Sequence, residues 1–239
     1  MMKAFITILI SFLASLIFAQ KTTHLGIEGS ITNDSYDLVE YGNQLKNIPL
    51  LGARIGVTVK QEINQHLSGE IGFTFKRYKE GYGFNHISGG TTMSAFGAYC
   101  FPLRLYSHIN LHKNKLFVSP VVGLVYCYSP YADSYASGEG RFSSGSDSVT
   151  IYTYTQYGPN KSFALLQTGI SLDIKFNKGG ILSFFSSYCT GFTQIYKSNI
   201  TYKINDKPFV NGHGISKGSF WDVIGISYRF QISKFWQKK

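Results

Sequence analysis

The sequence predicts an all-β fold: a transmembrane, antiparallel, up-and-down β-barrel of eight strands, with ten strands as the alternative. The first observation is strict alternation of apolar and polar residues, as in the stretch from Leu51 to Lys60. The second is that long and short connections alternate along the chain, as they do in membrane barrels. The third is composition, since only 15% of the residues are charged, 16% are aromatic and 25 are Gly.

The N-terminus predicts export. A short basic start ending at Lys3 precedes an almost unbroken apolar run from Ala4 to Phe18, and Ala19 then precedes polar sequence. This order is typical of a secretory signal peptide, and the run is shorter than the ~20 residues that span a membrane as a helix. We therefore expect a cleaved signal at 1–19, a barrel domain at 20–239 and a location in the cell outer membrane.

Eight segments have the period-2 pattern of strands, and they lie at 22–32, 50–61, 67–78, 93–106, 116–128, 162–176, 181–196 and 220–232. Short connections are predicted at 62–66, 107–115 and 177–180, and long ones at 33–49, 79–92, 129–161 and 197–219. An even strand count places both termini on the periplasmic side, with the long loops outside. The strand-like segment 149–155 in the longest loop is interpreted as a hairpin extension above the membrane.

The charged positions indicate which face of each strand points inward. On several strands one face is apolar and the other carries charges of both signs, at Glu28, Arg54, Glu70, Lys76, Arg104, Asp173 and Arg229. An eight-stranded barrel is only wide enough for its own side chains, and buried charges need partners. We therefore predict a structural ionic network in a filled lumen, with Glu28, Arg54 and Glu70 forming one cluster. The alternative is a soluble barrel whose charged face is its outside. The facing of the strands at 116–128 and 181–196 is not predicted.

The sequence indicates no cofactor, metal or catalytic site. The three cysteines, Cys100, Cys127 and Cys189, are isolated on predicted strands, which favours free thiols, although one disulfide is permitted. Two groups were considered as metal sites. His108 and His112 are interpreted as part of an ordinary polar turn, and Asp34, Asp37 and Glu40 as part of a solvated outer loop. The scattered basic residues show no nucleic-acid-binding pattern.

One short pattern offers an enzymatic alternative. His86 and Ser88 are two residues apart in the second outer loop, a spacing that places two side chains on one face of a strand. Similar pairs occur in some outer-membrane lipid hydrolases. The same spacing recurs at His66 and Ser68 on the periplasmic side, so it is not specific, and we predict that the protein is not an enzyme.

The last strand resembles the C-terminal signal recognised by barrel assembly machinery, in which Gly225, Tyr228 and Phe230 form a Gly-x-x-aromatic-x-aromatic pattern. The segments 99–105 and 182–195 resemble conserved strands of the Bacteroidetes outer membrane protein β-barrel domain family, which includes PorT-like proteins. This resemblance implies a barrel in the outer membrane and an accessory role in secretion or gliding as one alternative. It implies little about activity, since one fold serves many functions.

The expected function is therefore a structural barrel or one that binds through its long loops. Tyrosines are concentrated around the longest loop, at Tyr126, Tyr128, Tyr131, Tyr135, Tyr152, Tyr154 and Tyr157. They suit either partner or glycan binding or, for the first two, the outer aromatic girdle. The expected partners are outer-membrane lipid and the barrel assembly machinery, with an extracellular ligand or protein unidentified, and a monomer is expected.

Overall fold

The computed structural model describes residues 22–85, 90–130, 135–144, 147–157, 161–177 and 179–232. The predicted signal peptide and the pair His86 and Ser88 lie outside these residues. The strands are β1 (Thr23–Glu40), β2 (Leu45–Pro49), β3 (Leu51–Glu62), β4 (Leu67–Phe84), β5 (Gly90–Ser107), β6 (Ile109–His112), β7 (Leu116–Tyr128), β8 (Tyr135–Ser144), β9 (Asp147–Tyr157), β10 (Ser162–Lys175), β11 (Ile181–Gly191), β12 (Tyr196–Ile204) and β13 (Val210–Gln231).

No helix in this described part of the chain is both long enough and apolar enough to cross a membrane.

Eight strands form a closed antiparallel barrel, in the order β1, β3, β4, β5, β7, β10, β11 and β13. Pairing of β13 with β1, from His24 opposite Gln231 upward, closes the wall. The prediction of eight strands is confirmed. The ten-strand alternative is wrong, because β9 pairs with β12, and β12 with the upper part of β13, instead of entering the wall.

The barrel is polar inside and apolar outside, as the alternation in β3 illustrates. Arg54 and Lys60 are 2% and 1% exposed, whereas Ile55 and Val57 on the opposite face are 67% and 50% exposed. The same inversion recurs on the other wall strands, including β7 and β11, whose outward residues include Leu124 and Phe184. The soluble alternative is therefore wrong, because its exposed face would be the charged one.

Several wall strands are much longer than a membrane crossing requires. β1 and β4 have 18 residues and β13 has 22, while about 9–11 residues span a bilayer. Their upper parts join β2, β12, β9 and β8 in a sheet that continues beyond the wall, which we call the extension. β8 pairs with β9, so the predicted hairpin above the membrane is present. By the rule that short turns are periplasmic, the extension is extracellular.

Candidate functional site in the barrel lumen

The centre of the lumen holds four charged side chains, Glu28, Glu70, Arg104 and Arg229, which we call the central cluster. Arg104 donates two hydrogen bonds to Glu28, at 2.6 and 2.8 Å, and one to Glu70 at 2.8 Å. Arg229 contacts the second oxygen of Glu70 at 2.7 Å. The planar guanidinium suits this arrangement, since it donates in two directions at once. Arg104 also donates to Gln167 and Arg229 to Ser183, and the Tyr106 hydroxyl donates to Glu70.

Arg54 lies next to the central cluster but has a different principal partner from the one predicted. Its Nη2 is 2.8 Å from Asp222 and 3.7 Å from Glu28. Ser30 and Ser187 also donate to the Asp222 carboxylate. Of the predicted cluster of Glu28, Arg54 and Glu70, the Glu28–Arg54 contact is present, but Arg104, and not Arg54, bridges the two glutamates.

A third group lies nearer the extracellular end. Lys76 donates to Asp34 at 2.5 Å and to Thr32 at 2.7 Å, and the backbone N–H of Lys79 donates to the other Asp34 oxygen. Asp34 was expected in a solvated loop, but it lies on β1 and faces inward. Glu40, also expected in that loop, accepts a hydrogen bond from Tyr202 of the extension. That expectation is wrong because β1 continues well past the membrane.

At the periplasmic end, Ser68, His108, Ser119 and Asp173 form a chain of hydrogen bonds. Ser119 donates to Asp173 at 2.8 Å, so its oxygen accepts from His108 Nδ1 at 2.8 Å, and Ser68 then donates to Nε2 at 2.8 Å. Burial, reinforced by the charge of Lys60, lowers the pKa of His108 to about 4. The imidazole is therefore neutral at neutral pH.

This hydrogen-bonded series contains the residue types of a nucleophile, a base and an acid, but Ser119 lies between His108 and Asp173 and the group is not exposed. Ser68 is fully buried, and His108 is 7% exposed. His66, the neighbour that the spacing suggested for Ser68, lies in an exposed turn, so the pairing is with His108 instead. The expectation that His108 belongs to an ordinary polar turn is wrong, whereas His112 is exposed on β6.

The lumen charges balance. Leaving histidine aside, the buried charged residues in the described part of the chain are five acids and five bases. The acids are Glu28, Asp34, Glu70, Asp173 and Asp222, and the bases are Arg54, Lys60, Lys76, Arg104 and Arg229. All seven residues named from the sequence are among them. Sequence reasoning missed Asp34, Lys60 and Asp222. Lys60 continues the inward face of β3 and was detectable from the alternation, and its partner is Asp173 at 3.6 Å.

Asp222 was missed because β13 contains a bulge. Counting back from Arg229 by twos places Val223 inside and Asp222 outside. The register with β1 changes between Ile31 and Thr32, so that Ile31 faces Ile224 while Thr32 faces Asp222. The extra residue turns Asp222 inward, as β-bulges do when they redirect a side chain.

A disulfide joins two wall strands above the central cluster, at a position where Cys100 is opposite Thr74 of β4. Cys100 and Cys127 are directly opposite each other on β5 and β7, and their sulfurs are bonded. Both face inward and are buried. The expectation of three free thiols is therefore wrong for this pair, because antiparallel register brings together residues 27 positions apart. Cys189 is free and buried.

The extracellular end of the lumen is filled by an apolar core shared with the extension. Its buried members include Tyr36, Tyr78, Tyr82, Phe84, Phe96, Val149, Ile151, Phe163, Tyr196, Ile200, Tyr202 and Phe220. Tyr78 stacks on Phe96 at 4.7 Å, and Phe84 meets Tyr202 edge-on at 5.2 Å. Burial and the hydrogen bond to Glu40 raise the pKa of Tyr202 above its ordinary value. The extension thus closes the barrel from outside.

The outer surface completes the case for a membrane location. Apolar side chains cover the wall strands, and aromatic residues including Tyr99, Tyr128, Tyr188 and Trp221 are exposed toward the extracellular end. A closed barrel with an apolar belt, an aromatic girdle and a polar interior is suited to the bacterial outer membrane. The protein is an outer-membrane β-barrel. Tyr126 and Tyr128 belong to this girdle, where Tyr99 and Phe101 pair with them.

The residues of the predicted assembly signal lie in the lower part of β13. Tyr228 and Phe230 point outward at the periplasmic end of the belt, and Gly225 is buried. A Cβ on Gly225 would come within 2.2 Å of the Phe185 ring, so a larger residue here requires that ring to move. In the described residues, no group of three or more His, Cys, Asp or Glu side chains is arranged to hold a metal ion.

Comparisons with known proteins find similarity among solved structures and none among sequences. No protein-family profile and no curated protein matches the chain. Among solved structures, it is similar to the outer membrane protein OprG from Pseudomonas aeruginosa, at 11% identity and a TM-score of 0.46, over 88% of this chain and 97% of that one. It is also similar to the outer membrane protease OmpT from Escherichia coli, at 7% identity and a TM-score of 0.36, over 90% and 98%. A third is the beta domain of the Bordetella autotransporter BrkA, at 10% identity and a TM-score of 0.29, over 89% and 100%.

Proposed function

We propose that this protein is a non-conducting outer-membrane barrel that acts as a structural and binding element through its extracellular extension. The observation that carries the proposal is the filled lumen. Paired charges occupy its centre, a hydrogen-bonded chain occupies its periplasmic end, and an aromatic core occupies its extracellular end. An interior of this kind leaves no route for solutes, so we infer that the protein acts through its outer surface and not by transport through the lumen.

The outward face of the extension carries side chains suited to binding. Tyr152 and Tyr154 on β9 are 40% and 44% exposed. Their cross-strand neighbours on β12 are Thr201 and Asn199, and Asn211 on β13 lies beyond Thr201. Exposed tyrosine beside amide and hydroxyl groups is the composition of many protein and ligand interfaces. We call these five residues the extension face.

A sheet edge that has no partner strand among the described residues supports a second candidate, an accessory role in secretion or gliding. β8 ends the sheet, and its residues from Ser137 to Glu139 are exposed. An edge strand presents unpaired N–H and C=O groups that can accept an added strand from a partner. The resemblance of 99–105 and 182–195 to the PorT-like family points the same way. In this proposal, the barrel assembly machinery recognises Gly225, Tyr228 and Phe230 during insertion.

We expect no catalytic activity from the chain Ser68, His108, Ser119 and Asp173. Its hydrogen bonds connect β4, β7 and β10 through His108, which lies between β5 and β6 at the periplasmic end, and this is a structural role. A lipid-modifying hydrolase based on His86 and Ser88 is a weaker alternative, because the same spacing recurs at His66 and Ser68 and is therefore not specific.

Purified protein in planar lipid bilayers is expected to show no large, steady conductance, because the lumen is filled by its own side chains. A porin inserted under the same conditions serves as the positive control for the recording. Reproducible porin-sized steps from correctly folded protein would contradict the filled lumen and with it the proposal.

Replacing Tyr152 and Tyr154 by alanine is expected to abolish capture of the native partner after crosslinking in intact outer membrane, since buried tyrosines dominate many interfaces. The readout is the crosslinked species recovered with the tagged barrel. The matched control replaces Tyr128, an exposed tyrosine of the girdle. Equal recovery from the Tyr152/Tyr154 variant and the parent would show that the extension face is not the binding surface.

A further inference from the structure

A row of side chains along β12 gives the extension face a defined charge pattern. Lys197, Asn199, Thr201 and Lys203 alternate with buried residues, so all four point to the outer surface. The two lysines stand six positions apart, which is about 20 Å along a strand. We call these four residues the β12 row, and its two central members belong to the extension face.

Aromatic rings lie beside this row and at its upper end. Tyr152 and Tyr154, both partly exposed, are on the adjacent strand β9, opposite the two central residues of the row. The ring centroid of Tyr152 is 6.0 Å from that of Phe209, which is 52% exposed. The ammonium group of Lys203 lies 5.6 Å from the same Phe209 centroid. A ligand lying along the row therefore meets aromatic rings and a cation together.

The two lysines of the row keep their charge available for a ligand, since neither forms an ion pair among the described residues. Two acids point to the same outer surface, but each is held by a different cation. Glu139 on β8 pairs with Arg141 at 3.2 Å, and Asp37 on β1 pairs with Lys217 at 3.5 Å. Two cations without acidic partners attract an anionic ligand, and their separation suits one whose charges are spread along its length.

The position of the row in the sheet argues against an extended peptide as the ligand. From Tyr196 to Tyr202, β12 is paired on both sides, with β9 and with β13. Its backbone N–H and C=O groups are therefore occupied, and a peptide cannot add here as a further strand. Side chains are what the face offers. Asn199 is exposed, and the Thr201 hydroxyl donates to Asn211 at 2.9 Å, which orients both groups.

Sugar rings match these side chains. Their hydroxyl groups donate to and accept from amides and hydroxyls, and their apolar faces pack on tyrosine. A nucleic acid carries a phosphate on every nucleotide, which is more charge than two lysines neutralise. We propose that the extension face binds an acidic polysaccharide, whose carboxylates pair with Lys197 and Lys203 while its rings pack on Tyr152 and Tyr154. This inference rests on the proposed function, in which the extension face is the binding surface.

The test is binding of defined oligosaccharides to folded, detergent-purified protein, measured by isothermal titration calorimetry. The acidic probes are oligogalacturonate and oligomannuronate, each long enough to span the β12 row. Methyl-esterified oligogalacturonate is the neutral match, because it keeps the sugar backbone and removes the charge. At least one acidic probe should bind about tenfold or more tightly than the neutral probe at low salt, and added salt should reduce this preference.

Variants separate the contribution of charge from that of the rings. Lys197→Gln and Lys203→Gln should each weaken binding of the acidic probe about threefold to fivefold, and together they should remove the preference for it. Tyr154→Ala should weaken the acidic and neutral probes alike. Lys46→Gln is the matched control, because it removes the same charge from an exposed site on β2, outside the row, and should leave the affinity unchanged. Heat-dependent gel mobility verifies that each variant is folded.

Three results would overturn the proposal. They are failure of both acidic probes to bind the parent more tightly than the neutral probe, an unchanged preference in the double lysine variant, and binding of polyglutamate as tight as that of the acidic sugars. The last would mean that charge alone is recognised. The crosslinking experiment on the Tyr152/Tyr154 variant stays a separate test. Loss of partner capture there, without oligosaccharide binding here, would keep the extension face as the binding surface and exclude only this class of ligand.

Discussion

Replacing Arg104 with alanine is expected to destabilise the barrel by about 3–5 kcal/mol, the cost typical of removing one partner from a buried ion pair. Arg104 makes three hydrogen bonds to Glu28 and Glu70, and it is 4% exposed. Without it, two carboxylates remain close together in a poorly hydrated interior. Glu70 keeps Arg229, but Glu28 keeps only the longer contact to Arg54 at 3.7 Å.

Urea unfolding of parent and variants in one detergent measures this loss. The connections identify a specific rescue: Arg104→Leu combined with Glu28→Gln removes one charge of each sign and should recover more than half of the loss. Arg141→Ala is the matched control, because its ion pair with Glu139 is exposed on β8 and should change stability by less than about 0.5 kcal/mol. A loss that small for Arg104→Ala would mean that the central cluster contributes little to folding.

The barrel wall was predictable because each wall strand has one apolar face, and lipid outside enforces the alternation as strongly as a core does inside. The upper halves of β1, β4 and β13 were not predicted. In those upper halves the inner face of the sheet packs against the extension and the outer face is in water instead of lipid. Segments such as 33–40 therefore lack a continuous apolar face, and the sequence predicted loops there. Only the segment 149–155, with its run of Val, Ile, Thr and Tyr, had enough strand character to be recognised.

The lumen residues were predictable individually, but their pairing was not. A period of two assigns Glu28, Arg54 and Glu70 to one face without fixing the height of each side chain or the reach of a long guanidinium across the barrel. Arg104 lies on β5, three strands from β1 along the wall, yet it contacts Glu28 because the lumen is narrow. Contacts across the interior depend on closure, which is a property of the whole sheet.

Arg54 distinguishes the connections seen in the structure from those expected from the sequence. Arg54→Ala is expected to cost about 3 kcal/mol, because Asp222 is fully buried and loses its only ion pair among the described residues. The hydrogen bonds from Ser30 and Ser187 to Asp222 remain, which keeps the cost at the lower end of the range.

The decisive comparison is between two rescues of Arg54→Leu. Asp222→Asn removes the stranded charge while keeping an acceptor for Ser30 and Ser187, so it should restore more than half of the lost stability. Glu70→Gln should restore none, and it should cost more, because Arg229 would lose its main partner at 2.7 Å. Urea unfolding of the four proteins in one detergent decides between them. Recovery by Glu70→Gln instead would place Arg54 between the two glutamates, as its position on β3 between β1 and β4 first indicated.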